Sequence, residues 1–167
     1  MSLRNRLSKF KGVIVENVPN NNPYIMFKAP GHDYIKLRME NGNAMLILNV
    51  NNSKKTINYA AGATNARLRG RGYGMFLRAI PIRAAKNSGY KKITHTASFT
   101  NASQRIKYHG SQPPSMRLVR FLGFQPHQHM KMVSELNLNK VDMNRINRII
   151  RGNYTTNEYT RIVGPRK

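Results

Sequence analysis

Cysteine is absent from this 167-residue chain, and so is tryptophan. Without cysteine there is no disulfide framework, no thiolate nucleophile and no Cys-based metal site, and the redox compartment is left open. Carboxylates are nearly as scarce. Only Glu16, Asp33, Glu40, Glu135, Asp142 and Glu158 face 29 lysines and arginines, so the choice of a carboxylate base is narrow. Long apolar runs are missing too. None approaches the roughly 20 residues needed to span a bilayer, and the start "MSLRNRLSKFKG" lacks the apolar segment of a secretory signal. No internal repeat and no sharp domain boundary is visible.

What is present is a foldable amount of apolar material, 40% of residues, in a length suited to one domain. It carries a net charge of +23. A compact domain with that excess repels itself unless polyanions are near. The partner this predicts is nucleic acid, DNA or RNA, held through its phosphates. A halo of solvated charge is the plainer reading. An anionic membrane surface fits less well, because no long basic amphipathic helix is evident. The abundance of Asn, Lys and Ile is in keeping with an AT-rich genome, such as that of a phage or another virus.

Along the chain, Leu3, Leu7 and Phe10 share a helical face among basic residues, so residues 1–12 read as a basic arm or helix. Residues 12–18 read as a strand, 19–23 as a turn and 24–29 as a further strand. Residues 34–39 and 44–50 flank Asn41-Gly42, a tight-turn signal, and form a hairpin; residues 56–63 extend the antiparallel meander. The period then changes. Phe76, Leu77, Ile80 and Ala84 lie on a helical stripe with Gly89 at its C-terminal end, and Pro81 is expected to kink or shorten the helix. Residues 90–100 return to a strand with Ile93, His95, Ala97 and Phe99 on one face. A short helix ends at Gly123, a strand lies within 129–138, and residues 141–153 form a basic helix with Ile146, Ile149 and Ile150 inward. The tail to 167 is an edge strand or loose. His127 and His129 stand two apart with no carboxylate or Cys near them in sequence, so no metal site is expected.

Between the meander and the first long helix stands "RLRGRGYG", with glycines at 70, 72 and 74. A strand, a glycine-rich turn and a helix start are the setting a phosphate loop needs. Backbone N–H groups of Gly70, Arg71, Gly72, Tyr73 and Gly74 could converge on a diphosphate, with Arg67, Arg69 and Arg71 adding charge at the rim. The spacing is one residue too short for a dinucleotide fold, and the Gly-Lys-Ser/Thr ending of a P-loop is missing. An Arg-Gly patch for RNA is the plainer alternative.

"RGRGYG", followed in order by "GYKKI" and "RFLGF", resembles the GCN5-related N-acetyltransferase (GNAT) superfamily over about residues 34–138. The resemblance implies an α+β fold, α/β/α in layers: a mixed, mostly antiparallel twisted sheet flanked by helices. It would occupy residues 13–140, with residues 141–167 added as a basic C-terminal helix and tail. It implies acetyl-CoA as acyl donor. Its diphosphate would sit on residues 70–74, and its pantetheine arm along the strand near Ala61–Ala66. The thioester would lie where the strand of Thr56–Ala63 splays from that of Ile93–Thr100. Asn101 and Tyr108 keep an Asn-to-Tyr spacing of seven, but the position usually held by tyrosine in the "RFLGF" register is Val119. Either Tyr108 protonates the leaving thiolate or no tyrosine does. His95 is the candidate base, since an imidazole near neutral pKa suits proton abstraction; a half-buried, hydrogen-bonded histidine is the alternative. The expected function is acyl transfer to an amine on or near nucleic acid, inside a cell or a virion. The rival is a non-catalytic, basic nucleic-acid or virion component on the same scaffold.

Overall fold

This computed structural model describes residues 1–23, 25, 27–42, 44–64, 72–96, 114–130 and 132–163. Strands β1 (Val13–Asn17), β2 (His32–Met39), β3 (Ala44–Asn51) and β4 (Thr56–Thr64) form the antiparallel meander. The β2–β3 turn closes at Gly42, whose φ of +72° only glycine adopts freely, with its N–H on the Met39 carbonyl at 2.9 Å. Helix α2 (Tyr73–Asn87) then carries the chain to β5 (Lys92–Thr96), which lies parallel to β4. Helix α3 (Pro114–Phe121) follows, then β6 (Gln125–Pro126) and β7 (Val133–Asn137), both antiparallel to their neighbours. The seven strands run in the order β1-β2-β3-β4-β5-β7-β6. Helices α1 (Leu3–Leu7), α4 (Met143–Ile150) and α5 (Thr156–Val163) complete the described elements. The sheet is mixed, mostly antiparallel and flanked by helices, the fold class expected from the sequence.

Alternation along the strands sorts the core. Ile35, Leu37, Leu46, Leu48, Ile57 and Ile93 enter the main core with α2. On the reverse of the meander, Tyr34 and Ile47 meet Val18 and Ile25 in a smaller cluster. Leu3 and Leu7 of α1, Ile146 and Ile149 of α4 and Tyr159 of α5 all join the main core. Phe121 ties the C-terminal elements down, its ring 5.3 Å from that of Tyr154 and 5.2 Å from that of Tyr159.

Several details differ from the sequence reading. Among the described residues of 24–29 no strand forms. Ile25 is buried, Phe27 stands 87% exposed, and Lys28 donates to the Val18 carbonyl at 2.5 Å, so local contacts hold the segment between Pro23 and Pro30. Pro81 does not shorten α2, which runs to Asn87. Pro81 has no N–H to offer the Leu77 carbonyl, yet Leu77, Ile80, Ile82, Ala84 and Ala85 on both sides are buried, and that packing outweighs the lost bond. Within the tail, Thr156–Val163 form a helix, not an edge strand. Thr155 caps it by accepting from the Glu158 N–H at 3.1 Å. The Thr155-x-x-Glu158 spacing is a capping signal that the sequence carried.

Candidate active site at the opening of two strands

Strand β4 changes character at Ala60. Leu48 pairs with Tyr59 and Ile47 with Ala61, so Ala60 is an extra residue in the β4 ladder, a β-bulge. A bulge shifts the side-chain alternation by one. Tyr59 and Gly62 therefore both face α2, whereas Ala60 and Ala61 pack against the smaller cluster on the reverse. Pairing of β4 with β5 covers Thr56–Tyr59 against Lys92–His95 and stops there. Beyond it, Ala60–Thr64 has no partner on the β5 side among the described residues.

The start of α2 is near this opening, and a side chain links the two. Gly72, at φ +86°, stands at the N-cap with no side-chain cap, and the first turn holds no acidic residue. The first amides of the helix therefore point outward without intrahelical acceptors, and the dipole adds about half a positive charge there. A Cβ on Gly72 would come within 3.3 Å of the Tyr154 hydroxyl. Arg78, one turn into α2, folds back to donate from Nη1 to the Gly74 carbonyl at 3.1 Å. Its Nη2 lies 2.6 Å from where a Cβ of Gly62 would be, so only glycine lets the guanidinium lie on β4.

Arg78 is 7% exposed, and burial lowers its pKa. Its Nε has no hydrogen-bond partner among the described residues. Tyr59 donates to the Arg78 carbonyl at 2.5 Å, and its burial raises the phenol far above its usual range. His95, opposite Tyr59 in the parallel register, is 4% exposed, and its Nδ1 also lacks a partner among the described residues. Burial, and then the nearby Arg78 charge, push its pKa down to about 4.

These facts sort the residues named from sequence. Gly72, Tyr73 and Gly74 open α2, and His95 is the last β5 residue paired with β4. Arg67, Arg69, Gly70, Arg71, Asn101 and Tyr108 lie outside the described residues. His95 is neutral at neutral pH, as a base must be, but a group held near pKa 4 is a weak acceptor for an ammonium proton. Val119 is fully buried. Asp33 pairs with Arg4 at 2.8 Å, and Glu135 with Lys92 at 3.4 Å and His127 at 3.7 Å. The fold thus brings a carboxylate to His127 that sequence distance concealed, but no group of three metal-binding side chains forms among the described residues. Sequence reasoning missed Arg78, Tyr59 and Gly62. The signal for Arg78 was available: a lone cation inside "MFLRAIPI", a helical run apolar on nearly every side.

No protein-family profile matches the sequence, and no curated protein matches it. Solved structures do. The ribosomal-protein-S18-alanine N-acetyltransferase of Escherichia coli aligns over 79% of this chain and 97% of its own, at 13% identity and a TM-score of 0.49. An N-acetyltransferase of Staphylococcus aureus aligns over 77% and 99%, at 12% identity and 0.44. For a nourseothricin acetyltransferase the chain spans 66% of the protein's length, at 12% identity and 0.42. Each score lies below 0.5; the fold is defined by the strand order and connections above, and the chemistry by this chain's own residues.

Proposed function

We propose that this protein transfers an acyl group from acetyl-CoA to an amine, on or near a nucleic acid. The observation that carries the reading is the one-sided half of β4, Ala60–Thr64, running toward the uncapped, glycine-led start of α2. An extended strand edge suits a pantetheine arm, whose amides need backbone partners. Bare helix amides suit a diphosphate. When bound, the cofactor supplies an activated thioester carbonyl.

The chain's residues then have distinct tasks. The amides of Gly72, Tyr73 and Gly74 bind the diphosphate, and Arg67, Arg69, Gly70 and Arg71 complete that loop in this reading. Ala60–Thr64 orient the arm so that the amine meets the carbonyl at a fixed approach. Tyr108 is the residue assigned to protonate the departing sulfur, since buried Val119 carries no donor. The nucleic-acid side of the proposal draws on net charge and on a groove between α2 and α4. Arg83, Lys86, Asn87, Met143, Asn147 and Arg151 line it, with no carboxylate among them.

The test is a melting-temperature series with CoA, desulfo-CoA, ATP and pyrophosphate. A ligand at a hundred times its Kd stabilises by about 2.7 kcal/mol. The expected pattern is a shift with CoA and desulfo-CoA that ATP and pyrophosphate do not reproduce. Gly72→Glu should abolish it while leaving salt-sensitive DNA binding. Joint loss of both activities in a folded variant makes the loop a nucleic-acid patch and overturns the reading.

A further inference from the structure

Among the described residues Arg78 has no counter-ion. All six aspartates and glutamates are described, and each is placed elsewhere. Glu16 binds Arg38, Asp33 binds Arg4, Glu135 faces Lys92 and His127, and Glu158 binds Arg148. Asp142 caps α4, and Glu40 is exposed beyond the end of β2. Burying a guanidinium against neutral groups alone is costly, and native proteins pair such charges. Here the described partner of the guanidinium is one neutral acceptor, the Gly74 carbonyl. Nε of Arg78 and Nδ1 of His95, both in nine-tenths-buried side chains, are left unbonded among the described residues, and buried polar atoms of that kind call for an explanation. His95 is the last β5 residue paired with β4, and Arg78 reaches β4 at Gly62, just past that point. The two side chains thus lie on the α2 side of the sheet near the end of the β4–β5 pairing, both sheltered from solvent.

We propose that Arg78 and His95 form a buried carboxylate-binding subsite that takes the free carboxylate of a dicarboxylic acyl group. Resting on the acyl-transfer reading above, this makes the preferred donor a malonyl- or succinyl-type thioester of CoA. A carboxylate matches the guanidinium fork geometrically. It accepts from Nε, and the Nδ1–H tautomer of His95 supplies a second donor. Gly62 is part of the same device, since a side chain there would displace the guanidinium. Neutralising Arg78 from outside the chain removes the penalty that the folded protein otherwise carries.

The decisive measurement is calorimetric titration of the full-length protein with CoA, acetyl-CoA, malonyl-CoA and succinyl-CoA. At least one of the two diacyl thioesters should bind tenfold or more tightly than acetyl-CoA. Arg78→Met should erase that preference, so that the three thioesters bind the variant alike. Equal affinities for all three thioesters in the wild-type protein overturn the subsite, whatever the variant does. A second readout does not need the thioester: free malonate or succinate should shift the His95 imidazole NMR signals saturably, and Arg78→Met should abolish the shift. If CoA fails to bind, the acyl-transfer reading falls, and the free diacids alone decide the subsite. A flat His95 response to both then overturns it.

Discussion

The two halves of β4 make an instructive pair. From Thr56 to Tyr59 the strand is bonded on both edges, and Ile57 and Ile93 bury apolar side chains beside each other. From Ala60 to Thr64 it is bonded on one edge among the described residues, and a guanidinium lies against it at Gly62. The first half closes the sheet with ordinary core chemistry. The second has small residues and, beside them, Nε of Arg78 and Nδ1 of His95 unbonded among the described residues. Core packing is concentrated in the closed half and the proposed ligand site in the open one, and a single bulge separates them.

Substitutions can probe that division, and the largest effect is expected in the closed half. Ile93→Ala should cost about 2–5 kcal/mol in urea unfolding, the usual range for a fully buried aliphatic residue. A comparable loss from Ala61→Gly in the open half would break the distinction. Next in size comes acid. His95 has a folded pKa near 4 against 6.5 unfolded, so folding favours its neutral form. Its contribution is fully present above about pH 6.5 and is lost progressively as pH falls toward 4, up to about 3 kcal/mol. His95→Gln should remove that part of the pH dependence of unfolding, and an unchanged slope between pH 6.5 and 4 would contradict the burial described.

Smaller effects sharpen the open half. Gly62→Ala places a methyl against Arg78 and should cost about 1–3 kcal/mol. In an Arg78→Ala background the same change should be nearly neutral, a coupling that a double-mutant cycle measures. Tyr59→Phe loses the hydroxyl bond to the Arg78 carbonyl, worth about 0.5–1.5 kcal/mol in thermal unfolding. Smallest of all is Arg78→Met. Removing an unneutralised buried charge should leave stability unchanged or raise it; a loss above about 2 kcal/mol would show that Arg78 is a structural element and not a ligand site.

The sequence was most readable where local chemistry and tertiary structure agree. Asn41-Gly42 specified its hairpin, and the stripe of Leu77, Ile80 and Ala84 specified α2. Readability failed where a distant contact decides. Phe27 and its neighbours have strand composition but no strand to pair with. Pro81 looks like a breaker, yet it is held by the core around it. In the site, Gly72 and His95 could be named from pattern alone. The role of His95 could not, because its low pKa comes from burial and from Arg78, 17 residues earlier in the chain. The meeting of Arg78 with Gly62 depends on a phase change in β4 that no short-range pattern announces.

That phase change has a further result. Deleting Ala60 would leave Tyr59, Ala61 and Gly62 in plain alternation, with Gly62 still opposite Leu46 and still beneath the guanidinium. The extra residue therefore changes the bend and twist of the strand and not which face its glycine presents. A one-codon loss there would straighten the strand while Arg78 kept the glycine it lies on.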